Sequence, residues 1–245
     1  MSTFKNKLLK LFMTGMLVLT SFAFLSCGGN GAGGGSGGGA DGSGGETPFT
    51  GLTAEQKAKL DSLNGWELTI SHKWSDSGEE NPDEETWTIG EKNNIFWSEM
   101  GYEKLVLKKE NGTVIPYRWD DDTDGYIVDP SYGVEGATLT EDYYDKLTMT
   151  SYMWIFWKDM YNGMELTNAG SATICNRACT KYSWTDSAAA FGQWATAHIT
   201  FWVDNATGIT MKLEAGNASN DGSASYVHEV TSFKTGSDVT PPTLN

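Results

Sequence analysis

The feature that most constrains the fold of this chain is a two-residue alternation of large and polar side chains that begins at residue 66. The large side chains fall on one side of an extended backbone: Trp66, Leu68, Ile70, His72 and Trp74. Because successive side chains of a β-strand point to opposite faces, this pattern predicts a half-buried strand. The period excludes an amphipathic helix here, so we expect sheet structure to organise the domain.

Turn signals that recur every 8 to 12 residues or so extend this prediction to an antiparallel sheet. The clearest is Asn111-Gly112, since Asn-Gly accepts the positive φ angles of a type I′ turn. A second hairpin is predicted to close at Asp124-Gly125. The other predicted strands are 87–89 and 95–97 around a turn at 90–94, 196–203 and 209–215, and a last strand at 226–233.

Two short helices are predicted beside these strands. Thr53 and Gln56 have the spacing of a capping box, Leu60 and Leu63 follow at helical spacing, and Gly65 ends the segment. A second helix is predicted within 140–161, where four side chains share a stripe: Tyr143, Leu147, Trp154 and Trp157. The expected fold is therefore mainly β with a minor helical part.

The first residues have the layout of a secretory signal. Three lysines precede an apolar run at 11–25, and Ser26 provides a small residue before Cys27. This segment resembles the bacterial lipobox, which implies that residues 1–26 are removed and that Cys27 carries acyl groups. The alternative is a retained transmembrane helix, but the run is shorter than the roughly 20 residues that a bilayer requires. Gly28 after the cysteine resembles the sorting pattern of outer-membrane lipoproteins.

Residues 27–45 are dominated by glycine and serine and predict a flexible tether with a reach of about 20 to 25 Å. Residues 46–245 are then predicted to form one domain. Without residues 1–26 the chain keeps 14 basic residues against 32 acidic ones, a net charge near −18. This charge disfavours nucleic acid and anionic lipid headgroups as partners, so acylation must provide the membrane affinity.

The C-terminal strands carry a family resemblance. The turn Trp202-Val203-Asp204-Asn205-Ala206-Thr207-Gly208, with Lys212 and the run Glu229-Val230-Thr231-Ser232-Phe233, resembles the closing strands of LolA-like lipoprotein-sorting and lipoprotein-carrier proteins. Residues 174–182 look like the strand that precedes them in some relatives. The resemblance implies an incomplete β-barrel: a single, strongly curved antiparallel sheet whose concave face is covered by one or two short helices and can receive acyl chains.

The aromatic content suits such a ligand-binding face, since the chain has 10 Trp, 10 Tyr and 10 Phe residues. Seven side chains are the candidate cavity lining: Trp66, Leu68, Ile70, His72, Trp74, Trp154 and Trp157. Ordinary core packing explains the same residues, because aromatic side chains favour strands. The expected function is a membrane-anchored lipoprotein that binds a lipid or the acyl chains of another lipoprotein. The alternative is a surface-displayed β-sandwich that binds glycan or protein through exposed aromatic residues.

Two further cysteines, Cys175 and Cys179, lie outside the cytoplasm if Cys27 is acylated. A straight strand would place them about 13 Å apart, beyond disulfide reach. A disulfide is therefore predicted only if residues 176–178 turn, and two separate thiols are the alternative.

Signals for catalysis or metal binding are weak. Asp120, Asp122 and Asp124 match the start of a calcium loop, but position twelve is Ser131 rather than the bidentate glutamate, and a solvated hairpin turn explains the same residues. The three histidines are far apart in the sequence and lie on predicted strands. No cofactor and no enzymatic activity are expected.

Overall fold

The computed structural model describes residues 52–74, 83–101, 103–129, 141–161, 165–186, 197–217 and 224–244. Helix α1 (Ala54–Asp61) precedes six strands: β1 (Trp66–Trp74), β2 (Asp83–Lys92), β3 (Ile95–Met100), β4 (Glu103–Glu110), β5 (Thr113–Asp120) and β6 (Gly125–Val128). Helix α2 (Glu141–Ile155) and a 3-10 helix (Trp157–Tyr161) follow. The chain then forms β7 (Thr167–Ile174), β8 (Arg177–Asp186), β9 (Ala197–Asp204), β10 (Thr210–Asn217), β11 (Ala224–Thr235) and a 3-10 turn (Gly236–Asp238).

The eleven strands of the described residues form a single sheet in the order β6-β5-β4-β3-β2-β1-β11-β10-β9-β8-β7. Every neighbouring pair is antiparallel, and the central pair joins β1 with β11, so that Trp66 lies opposite Thr235 and Trp74 opposite Tyr226. The sheet therefore consists of two meanders, β1 to β6 and β7 to β11, and β6 and β7 are its two edges. The predicted mainly β, open antiparallel sheet with short helices is confirmed.

Helix α2 lies across one face of the sheet and contacts both β5 and β10. These strands are six positions apart in the sheet order, which is about 29 Å in a flat sheet. A helix of 15 residues is only about 22 Å long. The helix therefore spans most of this distance, and we call the side of the sheet that it covers the inner face.

The hairpin turns follow the local preferences of asparagine and glycine. Asn111 and Gly112 have φ angles of 52° and 78°, as the predicted type I′ turn requires. The turn between β2 and β3 is shorter than predicted, because it consists of Asn93 and Asn94 alone and Gly90 lies within β2. Gly90 is required there by packing: a Cβ on it would lie 2.3 Å from the Trp97 ring.

The strand expected at residues 174–182 is present as β8 and precedes β9, but it begins at Arg177 rather than at residue 174. Cys175 and Asn176 have φ angles of 49° and 60° and form the turn between β7 and β8. The prediction missed β7 because its side chains are small and polar and are mostly exposed. With no apolar alternation, the segment carries no period-two signal.

Helix α1 begins as predicted. The Thr53 side chain accepts a hydrogen bond from the Gln56 amide, and the Gln56 side chain accepts one from the Thr53 amide. Leu60 is buried in the main core, and the Gln56 side chain donates a hydrogen bond of 2.5 Å to Asp159. Gln56 therefore both caps α1 and joins it to the 3-10 helix that follows α2.

The opposite, outer face of β3 to β6 has its own small core of Trp97, Val106, Tyr117 and Tyr126. The C-terminal segment covers it with Val239, which is 2% exposed. Lys92 holds this segment by donating hydrogen bonds to the Gly236 and Val239 carbonyls at 2.8 and 2.7 Å. Strand β3 is consequently buried on both faces.

Candidate ligand-binding face

The inner face is an apolar surface that α2 covers. Four side chains at the buried side of α2 and just beyond its end pack into the main core: Tyr144, Tyr152, Ile155 and Phe156. On the sheet, Leu68, Ile70, Ile89 and Leu107 belong to the same cluster, each fully buried. The side chains of the helix therefore occupy the surface that an apolar ligand would contact.

The stripe predicted for this helix is displaced by one residue. Tyr144, Thr148 and Tyr152 follow each other at four-residue spacing and are all buried, whereas Leu147 and Trp154 are half-buried. The Tyr143 side chain lies outside the described residues. The error arose because buried polar residues such as Thr148 and Ser151 do not register in a search for apolar spacing.

A few polar contacts fasten α2 to the sheet. The hydroxyls of Tyr144 and Tyr152 donate hydrogen bonds to the two carboxylate oxygens of Glu91 at 3.1 and 3.0 Å. Ser151 donates to the hydroxyl of Ser98 on β3 at 3.0 Å. Burial and the nearby Glu91 carboxylate raise the pKa of both tyrosines well above its usual range, so their hydroxyls remain donors.

The seven side chains predicted to line a cavity lie on this inner face or in the helical segment that covers it. Trp66, Leu68 and Ile70 lie in the main core, and Trp66 approaches Tyr152 with a ring centroid distance of 6.4 Å. The other four lie at the end of β1 and the end of α2: His72, Trp74, Trp154 and Trp157. Whether they bind a ligand remains a prediction.

Around these four residues the structure assembles what we call the histidine-tryptophan cluster: His72, Trp74, Trp87, Trp154, Trp157, Tyr226 and His228. His72 stacks on Trp87 with a centroid distance of 4.1 Å, and Trp154 meets Trp157 edge to face at 4.2 Å. The Tyr226 hydroxyl lies 3.3 Å from His72 Nδ1. Trp74 and Trp154 are half-buried, so the cluster reaches the surface of the described residues.

His228 lies at the centre of this cluster and is completely buried. Neither of its ring nitrogens has a hydrogen-bond partner. Burial, with a smaller contribution from His72, lowers the pKa of His228 to about 3, and burial lowers the pKa of His72 to about 3. Both imidazoles are therefore neutral at pH 7. A buried polar group without a partner costs about 1 to 3 kcal/mol of stability.

Sequence reasoning missed Glu91, Trp87, Tyr226 and His228 as members of this face. The signal was present, since Glu91 continues the two-residue alternation of Trp87 and Ile89. His228 likewise lies between Tyr226 and Val230 on alternate positions. A glutamate and a histidine were not recognised as inward-facing because such residues are usually at the surface.

The turn that carries the family resemblance is a structural element. Asp204 is 2% exposed and accepts hydrogen bonds from the Thr207 amide at 2.9 Å and from Arg177 at 2.8 Å. Burial opposes its ionisation, but the hydrogen bonds from Arg177 and Thr207 outweigh this effect and lower the Asp204 pKa. Gly208, with φ of 84°, closes the turn. Trp202 lies half-buried between Lys181 and Lys212, at 5.0 and 5.4 Å from their ammonium groups.

Both described cysteines are free thiols in this structure. The turn occurs at Cys175 and Asn176 rather than at residues 176–178, and Cys175 Sγ lies 3.2 Å from the Val230 carbonyl. Cys179 Sγ lies 3.5 Å from the Arg177 carbonyl. Burial raises the pKa of both thiols. The two thiols are not bonded to each other in this structure, and a disulfide between them stays a prediction.

In the acidic hairpin turn, the carboxylate of Asp120 stabilises the turn itself. Asp120 accepts hydrogen bonds from the amides of Asp122 and Thr123 at 2.9 and 3.1 Å. Within the described ranges, no group of three His, Cys, Asp or Glu side chains is arranged to hold a metal ion. Ser131, position twelve of the calcium pattern, lies outside the described residues, so the solvated turn stays a prediction.

The aromatic side chains of the described residues are buried or half-buried. Among all large apolar side chains of these residues, the single exposed one is Val128, at 52%. The alternative of a β-sandwich with exposed aromatic platforms therefore does not fit the single sheet seen here.

Cys27 and the segments 1–26 and 27–45 lie outside the described residues. No helix in the described part of the chain is long and apolar enough to cross a bilayer.

No protein-family model matches this sequence, and no curated protein matches it. Several solved structures are similar in fold. A chain of the Pseudomonas aeruginosa MucA/MucB complex is 12% identical with a TM-score of 0.35, and the match covers 77% of this chain and 57% of that one. This chain thus spans little more than half the length of that neighbour.

LprF from Mycobacterium bovis is 11% identical with a TM-score of 0.35, and the match covers 79% of this chain and 98% of LprF. A putative outer membrane lipoprotein-sorting protein domain from Vibrio parahaemolyticus is 6% identical with a TM-score of 0.27, covering 76% and 91% of the two chains.

Proposed function

We propose that this protein is a LolA-like lipoprotein of the bacterial cell envelope, anchored through Cys27 to the outer membrane, that binds a hydrophobic ligand on its inner face. The ligand is a lipid or the acyl chains of another lipoprotein. The role is binding without catalysis.

The observation that carries this proposal is the relation between α2 and the inner face. A broad apolar surface on an open sheet is covered mainly by α2, whose described polar ties to the sheet are the hydrogen bonds to Glu91 and Ser98 and the Lys109 ammonium over the Tyr144 ring. Burial of apolar area is non-directional and proportional to the area removed from water. An acyl chain can therefore replace the apolar contacts of α2 on the sheet, at the cost of the hydrogen bonds to Glu91 and Ser98.

Anchoring limits what such a protein can do with its ligand. An acyl anchor followed by a tether of about 20 Å keeps the domain close to one membrane. Its acidity gives no second, electrostatic attachment to anionic lipid. The protein would therefore receive or retain its ligand locally and would not carry it across the periplasm.

Lipid extraction and native mass spectrometry of the protein purified from its host membrane test this proposal. A bound lipid is expected in addition to the acyl groups on Cys27. Trp154→Glu, which places a charge at the edge of the inner face, should lose this lipid. Trp202→Glu is the matched control, because it replaces another half-buried tryptophan, between Lys181 and Lys212, and should retain it. An empty wild-type protein would contradict the proposal.

A further inference from the structure

His228 is a polar residue that the folded chain leaves without polar contacts. It is completely buried, and both Nδ1 and Nε2 lack a hydrogen-bond partner. The other buried side-chain nitrogen or oxygen without a partner, among the described residues, is Nε of Arg177, whose Nη2 does bond to Asp204. A buried polar group of this kind calls for an explanation, because native structures contain few of them.

Packing alone does not explain a histidine at this position. The residue lies in a row of inner-face side chains, opposite His72 on β1 and Leu213 on β10. A leucine would fill a similar volume without any unsatisfied polar atom, and such a replacement of an unpaired group is neutral or stabilising. The histidine therefore costs stability at this position.

Aromatic rings enclose His228. Trp154 stacks nearly parallel to it, at 14° and 6.0 Å between centroids, and Trp157 lies at 5.8 Å. Trp87 and His72 complete the enclosure at 5.9 and 6.1 Å. Trp154 is half-buried and lies in the last turn of α2, where the helix gives way to a 3-10 helix. If a ligand displaces α2, as the proposed function requires, Trp154 moves with the helix and the His228 ring becomes exposed on the inner face.

We propose that His228 binds a neutral hydroxyl group of the ligand, so that the ligand is an amphiphile whose hydroxyl lies at the end of an apolar chain. This inference rests on the proposed function and specifies its ligand. A neutral imidazole has one N–H donor and one nitrogen acceptor, and a hydroxyl complements both because it donates and accepts.

The surroundings of His228 select against a charged headgroup. The enclosing side chains are aromatic and provide no counter-ion at the ring, and burial keeps the imidazole neutral at pH 7. A carboxylate placed here would be a buried, unpaired charge, which is far more costly than a buried hydroxyl. The site is therefore suited to an alcohol and unsuited to a fatty acid anion.

Three probes with the same chain length test this inference on the full chain after copurifying lipid has been removed: dodecan-1-ol, 1-methoxydodecane and dodecanoic acid. Binding is followed at pH 7 by calorimetry and tryptophan fluorescence. The alcohol should bind about tenfold more tightly than the ether, the factor expected for one hydrogen bond. The acid should bind more weakly than the alcohol.

His228→Leu should bind alcohol and ether equally. His198→Leu is the matched control, since His198 is half-buried and contacts Thr185 and Thr200 outside the cluster, and it should keep the tenfold difference. Equal binding of alcohol and ether by the wild-type protein would overturn the hydroxyl assignment, even if His228→Leu does not fold. A difference that persists in His228→Leu, or an acid that binds as tightly as the alcohol, would also overturn it. Failure of all three probes would overturn both this inference and the proposed function.

Discussion

The hydroxyl of Tyr152 on α2 donates a hydrogen bond of 3.0 Å to Glu91 on β2, and this contact joins the covering helix to the inner face of the sheet. Tyr144 reaches the other oxygen of the same carboxylate. Glu91 therefore accepts the hydrogen bonds of both tyrosines, and the attachment of α2 to the sheet depends on this carboxylate.

Tyr152→Phe should weaken this attachment. The variant keeps the ring that packs on Phe96 and loses only the hydroxyl, so the free energy of unfolding should fall by about 1.5 kcal/mol. Urea unfolding followed by circular dichroism measures the change. Tyr182→Phe, on the inner face but not bonded to Glu91, is the control and should change stability less. Equal losses would show that the Glu91 contact has no special role.

Gly90→Ala should destabilise the sheet by about 1 to 3 kcal/mol. The added Cβ would lie 2.3 Å from the Trp97 ring and 2.8 Å from the Trp66 carbonyl, so neighbouring groups must move. Gly112→Ala is a matched comparison. The Cβ added at residue 112 would meet no atom within 4 Å, so only the positive φ angle of this residue opposes the substitution. Thermal unfolding should show the larger loss for Gly90→Ala. The opposite order would contradict the packing assigned to β2 and β3.

Stability should decrease as the pH is lowered from about 6.5 to about 3 because of the buried histidines. Folding lowers the pKa of His228 to about 3, so in this window the unfolded chain binds a proton that the folded chain does not. The free energy of unfolding should therefore fall by about 1.4 kcal/mol per pH unit for this residue. Urea titrations of wild type and His228→Leu isolate the effect from the carboxylates. Parallel curves for the two proteins would show that His228 is not buried as described.

The lipid anchor is tested separately from the fold. Cells fed radiolabelled palmitate should label the wild-type protein, and Cys27→Ser should abolish the label and prevent cleavage before residue 27. Cys175→Ser should leave labelling unchanged, because Cys175 lies in the turn between β7 and β8. Label retained in Cys27→Ser would contradict the lipobox interpretation.

Local sequence patterns predicted those strands and turns whose conformation depends on the residues of the segment itself. Asn111-Gly112 forms its turn because of backbone preference alone, and the alternation from Trp66 to Trp74 is decided by one buried face. Gly90 was mistaken for a turn residue because the ring that requires it, Trp97, is brought opposite only by strand pairing. Neither period nor turn residues could reveal such a contact.

Only part of the candidate site was predictable, because local alternation identifies a face of a strand and not the residues that pack on it. Alternation identified Trp66 to Trp74 as one face, but it could not show which partners would meet that face. His228 lies 156 residues after His72 in the sequence, and only the pairing of β1 with β11 brings the two rings to 6.1 Å. Tertiary pairing, which no local pattern encodes, therefore created the histidine-tryptophan cluster.

The central claim is that ligand binds between α2 and the sheet, and a reversible lock tests it most directly. Ser98 and Ser151 face each other with their hydroxyl oxygens 3.0 Å apart, so the pair Ser98→Cys and Ser151→Cys should form a disulfide that holds α2 on the inner face. Binding of dodecan-1-ol is then measured in the oxidised and reduced double variant, with each single variant treated identically. We predict that the oxidised lock prevents binding and that reduction restores it. Equal binding by the locked and reduced forms would contradict the account.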